Sequence, residues 1–369
     1  MRIGIDARIF KFKDYRGIAS ATYSIIRSLS QNYKSHSFYL ISNTQIYLPG
    51  ELPDNWHFVV KGINKNGIFW TMFELPGEIR EMKLDVFWSP NFILPPRVKA
   101  CKYFVTVHDL ALFKFKGTAS IGTYLSLKIL GKSSCKSADK IFAISEATKK
   151  DVVDLYGISS NKVSVCYNGV DIFGLRNIEA KPVCKLERQE NSYYIFLSTI
   201  EPRKNPVTVL QAYEQYREKN YGNEKLVFVG SEGWNLQSFQ KAYEDNAYKD
   251  DIIFTGYVSE AHKKWLIENA VALLYPSIYE GFGLPILEAF ALGTPVVTSN
   301  VSSMPEVGGD AAIYVNNPEN KKELVDAMKK IKSLSCDELS NIKEKMTIQA
   351  ERFSWENTAG IIMNEFTRK

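Results

Sequence analysis

The chain is poor in the residues that staple or metallate a fold, with five cysteines and four histidines in 369 residues. The cysteines (Cys101, Cys135, Cys166, Cys184 and Cys336) are odd in number and form no Cys-x-x-Cys pair. Neither a disulfide framework nor a zinc cluster is indicated, and a reducing cytoplasm is expected. No apolar run approaches the roughly 20 residues that a bilayer span requires, and there is no low-complexity tract or internal repeat. The first strand-like run begins at Arg2, directly after Met1, so the expectation is a protein neither secreted nor membrane-spanning. Three nucleotide-handling signatures are missing as well. Gly281-x-Gly283 has Ile286 where a dinucleotide fingerprint needs its third glycine, and Gly117 and Gly122 have Walker A spacing but are followed by Thr123 instead of lysine. No Asp-x-Asp pair occurs. That argues against a transferase holding its donor diphosphate through a divalent ion, so neither metal nor cofactor is expected.

What the chain does have is length and an uneven charge. Hydrophobic residues make up 45% and charged residues 24%, as in soluble globular proteins, and 369 residues exceed one ordinary core, so two domains are expected. Residues 1–170 carry 23 Lys+Arg against 13 Asp+Glu, a balance of +10; residues 171–369 carry 23 against 28, or −5. Ordinary surface variation would account for this. So would an acidic partner for the first half: a membrane surface, an anionic lipid acceptor or nucleic acid.

Short β-rich runs alternate with helical patterns, which points to parallel sheets with crossover helices. Strands are predicted at Arg2–Asp6, Phe38–Ser42, Val86–Ser89, Tyr103–Val107, Lys140–Ile144 and Val163–Tyr167, with helices at Ser20–Leu29 and Glu146–Tyr156, the latter capped by Ser145. A break follows Asn168-Gly169-Val170-Asp171, and the polar stretch 177–191, with Pro182, reads as a linker. A second unit then repeats the pattern. Its strands are predicted at Tyr194–Ser198, Leu226–Gly230, Ile252–Thr255, Ala272–Tyr275 and Pro295–Thr298, and its helices near Pro206–Glu218, Glu260–Asn269, Pro285–Leu292 and Lys321–Ile331. The expected fold class is α/β, two facing Rossmann-like domains whose strand-to-helix loops line a ligand cleft.

Four stretches in those loops carry chemistry. Glu280-Gly281-Phe282-Gly283-Leu284-Pro285-Ile286-Leu287-Glu288 joins an apolar strand to an apolar helix. Pro285 suits a first helical turn, and the helix N-terminus suits a phosphate. Glu280 and Glu288 are then either acceptors for sugar hydroxyls or, with equal claim, a loop charge and a helix-dipole partner. Arg203 and Lys204, in Glu201-Pro202-Arg203-Lys204-Asn205, read either as a diphosphate clamp or as a solvated pair. His108, with Asp109 after the strand Tyr103–Val107, either orients a substrate hydroxyl or is a satisfied structural histidine. Gly17, in Arg16-Gly17-Ile18-Ala19, opens the first crossover helix.

Taken in order, His108-Asp109, Asn168-Gly-Val-Asp171, Glu201-Pro-Arg-Lys-Asn205, Glu280-x7-Glu288 and Phe353-Ser-Trp-Glu356 resemble a family-4 retaining glycosyltransferase of the GT-B fold over nearly the whole chain. The resemblance implies an N-terminal acceptor domain over 1–175, a linker over 176–191, a nucleotide-sugar donor domain over 192–352, and a C-terminal helix over 353–369 crossing back. It implies donor contacts from Gly17, Arg203, Lys204, Glu280, Gly281, Phe282, Gly283, Leu284 and Glu288. Arg203 and Lys204 would hold the diphosphate, Glu280 and His108 the transferred sugar, and Glu288 the ribose. One departure is the single glycine in the Arg16–Ala19 turn. The Glu-Pro-Arg-Lys-Asn form is similar to bacterial mannosyltransferases that use GDP-mannose in O-antigen or capsule synthesis. The implied reaction moves mannose to a lipid-linked oligosaccharide. The alternatives are another nucleotide sugar (UDP- or dTDP-linked), a nucleotide-sugar 2-epimerase on the same fold, or a non-catalytic donor-binding partner.

Between Leu110 and Ala138 stand Lys114, Lys116, Lys128, Lys132 and Lys136 and no acid. Lys128, Lys132, Lys136 and Lys140 recur every four residues, which would place them on one helical face. With Leu125 and Ile129 among them, either a core-packed helix with a solvated lysine face or an anionic-membrane docking face results. The expected setting is the inner face of the plasma membrane, with peripheral attachment and no nucleic-acid partner.

Overall fold

The computed structural model describes residues 1–13, 17–62, 66–115, 121–183, 186 and 192–368. Arg16, Lys116, Cys184 and much of the expected linker lie outside the described residues. The chain forms two compact units, one of residues 1–114, 119–169 and 354–369, the other of residues 115–118 and 170–353.

The first unit is built on seven parallel strands: β1 Arg2–Asp6, β2 Ser37–Ser42, β3 Trp56–Val60, β4 Val86–Ser89, β5 Lys102–Val107, β6 Lys140–Ala143 and β7 Val163–Val165. Their order across the sheet is β3-β2-β1-β4-β5-β6-β7. The second unit holds β8 Tyr193–Leu197, β9 Lys225–Val229, β10 Ile252–Gly256, β11 Ala272–Tyr275, β12 Val296–Ser299 and β13 Ile313–Val315, ordered β10-β9-β8-β11-β12-β13. Both are doubly wound Rossmann-like sheets, whose order reverses between β1 and β4 and between β8 and β11. Crossover helices cover both faces, so the central strands are buried along their whole length: all of Val86–Ser89, Tyr193–Leu197 and Ala272–Tyr275 is buried. Each large apolar side chain so buried contributes about 1.5–3 kcal/mol. The buried tyrosines keep their hydroxyls satisfied, Tyr193 donating to the Leu266 carbonyl (2.9 Å) and Tyr194 to that of Met328 (3.2 Å).

The chain re-enters the first unit at Ser354, whose hydroxyl accepts from the Asn357 N–H (3.1 Å) and starts the helix Trp355–Thr367. Phe366 of that helix seats its ring 4.7 Å from that of Phe104 and 6.2 Å from that of Trp88. Gly169 makes the approach possible, because a Cβ there would lie 2.3 Å from the Trp355 nitrogen.

One helix was not expected and one sequence expectation needs correction. Asp171 caps a short helix, Ile172–Asn177, which the sequence reading did not place, its carboxylate accepting from the Gly174 N–H (2.7 Å). The four-residue lysine spacing does not extend along a helix to Lys140. Lys128 and Lys132 belong to consecutive helical segments over 121–137, whereas Lys140 begins β6, and Lys114 is paired with Asp151. The spacing is coincidental at Lys140 because the helix ends at Ser137, two residues short of the sheet.

Candidate active site

The site in the second unit is assembled by the carboxyl-end loops of three adjacent strands, β8, β11 and β12. After β8, residues Pro202–Lys204 form one tight turn that ends at Asn205 in the left-handed region (φ 64°). Asn205 is buried and ties the loops together. Its amide donates to the carbonyls of Pro276 (3.1 Å) and Pro318, and its oxygen accepts from Thr208 (2.6 Å). The turn aims Arg203 and Lys204 at the loop after β11, where Glu280 waits.

Glu280 is the hub. One carboxylate oxygen takes Lys204, the Tyr275 hydroxyl (2.6 Å) and the Ser277 hydroxyl (2.8 Å); the other takes Arg203 (2.9 Å). Arg203 also donates through Nε (3.0 Å) and Nη2 (2.7 Å) to Glu201, and through Nη1 to the Tyr279 carbonyl (3.1 Å). The second oxygen of Glu201 accepts from the Trp234 indole (3.0 Å). Arg203 and Lys204 are therefore not a solvated pair: their side chains are 14% and 11% exposed, and two carboxylates balance their charge. Burial alone would raise Glu280, but Lys204 and then Arg203 outweigh it and hold the carboxyl at about 2. Burial, opposed by Glu280, lowers Lys204 below the ordinary lysine value.

The backbone of this loop is pinned from β12. Ser302 and Ser303 donate to the Glu280 carbonyl (2.6 and 3.1 Å), and Ser303 also to that of Phe282 (2.6 Å). Gly281 and Phe282 are buried, and Gly283 caps the helix Leu284–Ala291 at φ 118°, a conformation that favours glycine. Leu284 and Pro285 make the first turn, so the helix starts with its positive end in the loop that carries Glu280. Glu288 stands apart from the hub, paired with Lys263 (2.9 Å), which also meets Glu260 (2.8 Å).

In the first unit, His108 follows β5 and is partly buried. Its Nε2 lies 2.8 Å from the Pro90 carbonyl, which can only accept, so that nitrogen carries the hydrogen and Nδ1 is the ring's acceptor. Burial lowers the ring's pKa, against the pull of the Pro90 bond. Asp109 instead caps the next turn, accepting from the Ala111 N–H (3.0 Å). Gly17 is the N-cap of the helix Ile18–Asn32.

The structure thus brings Arg203, Lys204 and Glu280 together with Gly281–Leu284 and sets Glu288 further along the helix that Leu284 begins. Sequence reasoning overlooked Glu201, Tyr275, Ser277 and the two serines. Tyr275 and Ser277 precede Glu280 by five and three residues, a spacing that could have marked them as its donors.

Comparison with known proteins agrees with this architecture. The family model described as glycosyltransferase family 4 matches residues 15–172, and that of glycosyl transferases group 1 matches residues 181–351. The chain is 31% identical to O-antigen chain mannosyltransferase B of Escherichia coli over 296 residues, 78% of this chain and 75% of that protein. It is 28% identical to O-antigen chain mannosyltransferase RfbU of Salmonella typhimurium over 260 residues, covering 70% and 68%. Among solved structures, Anabaena HepE in complex with UDP and glucose superposes with a TM-score of 0.73 at 16% identity, covering 100% of this chain and 99% of that one. The chain belongs to the family-4 glycosyltransferases of the GT-B fold. It is an enzyme, a glycosyltransferase of the O-antigen mannosyltransferase type.

Proposed function

We propose that this glycosyltransferase moves mannose from GDP-mannose to a lipid-linked oligosaccharide, with retention at the anomeric carbon, in synthesis of a bacterial surface polysaccharide. The observation that carries the reading is the Arg203–Lys204–Glu280 cluster beside a helix N-terminus, in a chain similar to O-antigen chain mannosyltransferases. As the glycosidic bond breaks, negative charge grows on the departing diphosphate. Lys204, Arg203 and the helix N-terminus stabilise that charge more than the ground state, which is how binding becomes rate. Donor binding exchanges part of the hold of Glu280 and Glu201 on these cations for phosphate oxygens. Glu280 also accepts a hydroxyl of the transferred sugar, and the neutral His108 offers it Nδ1. Glu288 takes the ribose hydroxyls. Arg203, Lys204 and the helix N-terminus face the donor diphosphate directly, and the proposed reaction includes no divalent metal or cofactor. A cavity of about 370 Å³ beside Ile200, walled by Gly230, Phe239, Tyr243 and Tyr257, suits the planar base.

The protein is proposed to act at the inner face of the plasma membrane, where the acceptor's lipid is anchored. No helix among the described residues is long and apolar enough to cross a membrane. Leu125 and Ile129, 47% and 63% exposed, stand beside exposed Lys128 and Lys136 in the first unit, which supports an interfacial face there. The test of the reaction is donor consumption with and without a glycan acceptor. Transfer requires the acceptor, whereas release of free sugar without it would identify an epimerase.

A further inference from the structure

The first sheet has a second charged feature at the opposite ends of its strands from Gly17 and His108. Lys102 begins β5, Lys140 begins β6, and Lys162 closes the turn Ser160–Lys162 that leads into β7. Neighbouring parallel strands therefore deliver three ammonium groups to one pole. The terminal helix ends at the same place and adds Glu365 and Arg368. Between them lies a cavity of about 560 Å³ floored by Phe104.

The hydrogen bonds of these lysines position them without neutralising them. Lys102 donates to the Arg368 carbonyl, Lys140 to that of Asn161 (2.9 Å) and Lys162 to that of Lys136. A carbonyl carries no net charge, and each ammonium has three hydrogens. The carboxylates nearby balance only part of this charge. Asp139 accepts from Arg97 (2.7 Å) and the Tyr103 N–H (2.7 Å), and Glu365 accepts from the Ser164 hydroxyl (2.7 Å) with Lys140 and Arg368 each at 3.6 Å. Among the described residues neither Lys102 nor Lys162 has a carboxylate at ion-pair distance. Along the cavity wall four cations, Lys102, Lys140, Lys162 and Arg368, meet two carboxylates, Asp139 and Glu365, a surplus of two positive charges.

We propose that this cleft binds a phosphate group, free or carried on a lipid headgroup, at a site separate from the donor's. A phosphate monoester, with about −1.5 to −2 charge and three acceptor oxygens, matches the surplus and can take a hydrogen from several ammonium groups at once. The carbonyl bonds hold the lysine tips in advance, which reduces the side-chain ordering left to binding.

The test replaces Lys102 and Lys162 together by glutamine, which keeps an N–H for each carbonyl and removes the charge. In calorimetric titration with inorganic phosphate, the double variant should lose one equivalent of phosphate or bind it at least tenfold more weakly. Its unfolding midpoint and its transfer to a soluble acceptor should stay as in the wild type. Lys102→Gln alone, at an exposed position, should lose part of the binding even if the double variant folds poorly. Vesicles of phosphatidylglycerol in phosphatidylcholine separate the two sources. A parallel loss of vesicle binding identifies a headgroup; vesicle binding unchanged while phosphate binding falls identifies a soluble anion. Identical phosphate isotherms for wild type and both variants, including no binding in any, would overturn the proposal.

Discussion

At the scale of single residues, the site is governed by charge balance rather than by surplus charge. Arg203 and Lys204 sit between Glu201 and Glu280, so removing either cation both weakens the proposed diphosphate site and leaves a carboxylate underpaired. Arg203→Ala and Lys204→Ala should each lower turnover on the order of 10²-fold and cost about 3–5 kcal/mol in stability. Comparing kcat with denaturant unfolding separates the two effects, and a wild-type rate in either variant would exclude the clamp role. For Glu280 the sign of the pH dependence is fixed by its lowered pKa. A carboxyl taken from 4.5 unfolded to about 2 folded contributes about 3 kcal/mol above pH 4.5, lost as pH falls through 2. Glu280→Gln should therefore flatten the loss of stability between pH 4.5 and 2 by about 1.4 kcal/mol per pH unit; parallel wild-type and variant curves would contradict the ion pairing. The same variant should transfer poorly yet bind nucleoside diphosphate at least as well, because both cations keep their charge.

At the scale of elements, the geometry depends on three loops held in register. Asn205 is the tie between the loops after β8 and β11, and its left-handed backbone lets one residue end a turn and start the helix Pro206–Glu218. Asn205→Ala places a Cβ-bearing residue without a side-chain donor at φ 64° and unpairs the Pro276 carbonyl. The expected loss is about 2–4 kcal/mol, read by thermal unfolding; a loss under about 1 kcal/mol would mean the tie is not structural. The sequence announced the central elements clearly. Tyr193–Leu197 and Ala272–Tyr275 are continuous apolar runs because both faces of a parallel sheet are covered. The edges were harder to read. β3, Trp-His-Phe-Val-Val, has exposed His57 and Phe58, and β13 is three residues long, so neither shows a usable period. Ser335 and Glu338 form a capping box before the helix Cys336–Glu351, a signal present in the sequence and passed over. The ion pair of Arg203 with Glu280 was illegible for another reason: Glu280 lies 77 residues away, and the adjacency of β8 and β11 brings them together.

At the scale of the whole molecule, the claim is one reaction with a defined donor, acceptor and location. The charge asymmetry predicts sedimentation with anionic vesicles at low salt, each lysine near the surface contributing about 1 kcal/mol. Lys128, Lys132 and Lys136 changed to Glu should abolish it while transfer to a soluble acceptor continues; equal binding to neutral vesicles would remove this face from consideration. The most direct measurement offers GDP-mannose, and separately UDP- and dTDP-sugars, to the protein with a lipid-linked oligosaccharide, and determines the product linkage by NMR. The account predicts one mannose added from GDP-mannose alone, with the donor's anomeric configuration retained, and no addition by the Arg203→Ala, Lys204→Ala double variant. Product from another nucleotide sugar but not from GDP-mannose, or a product of inverted configuration, would contradict it.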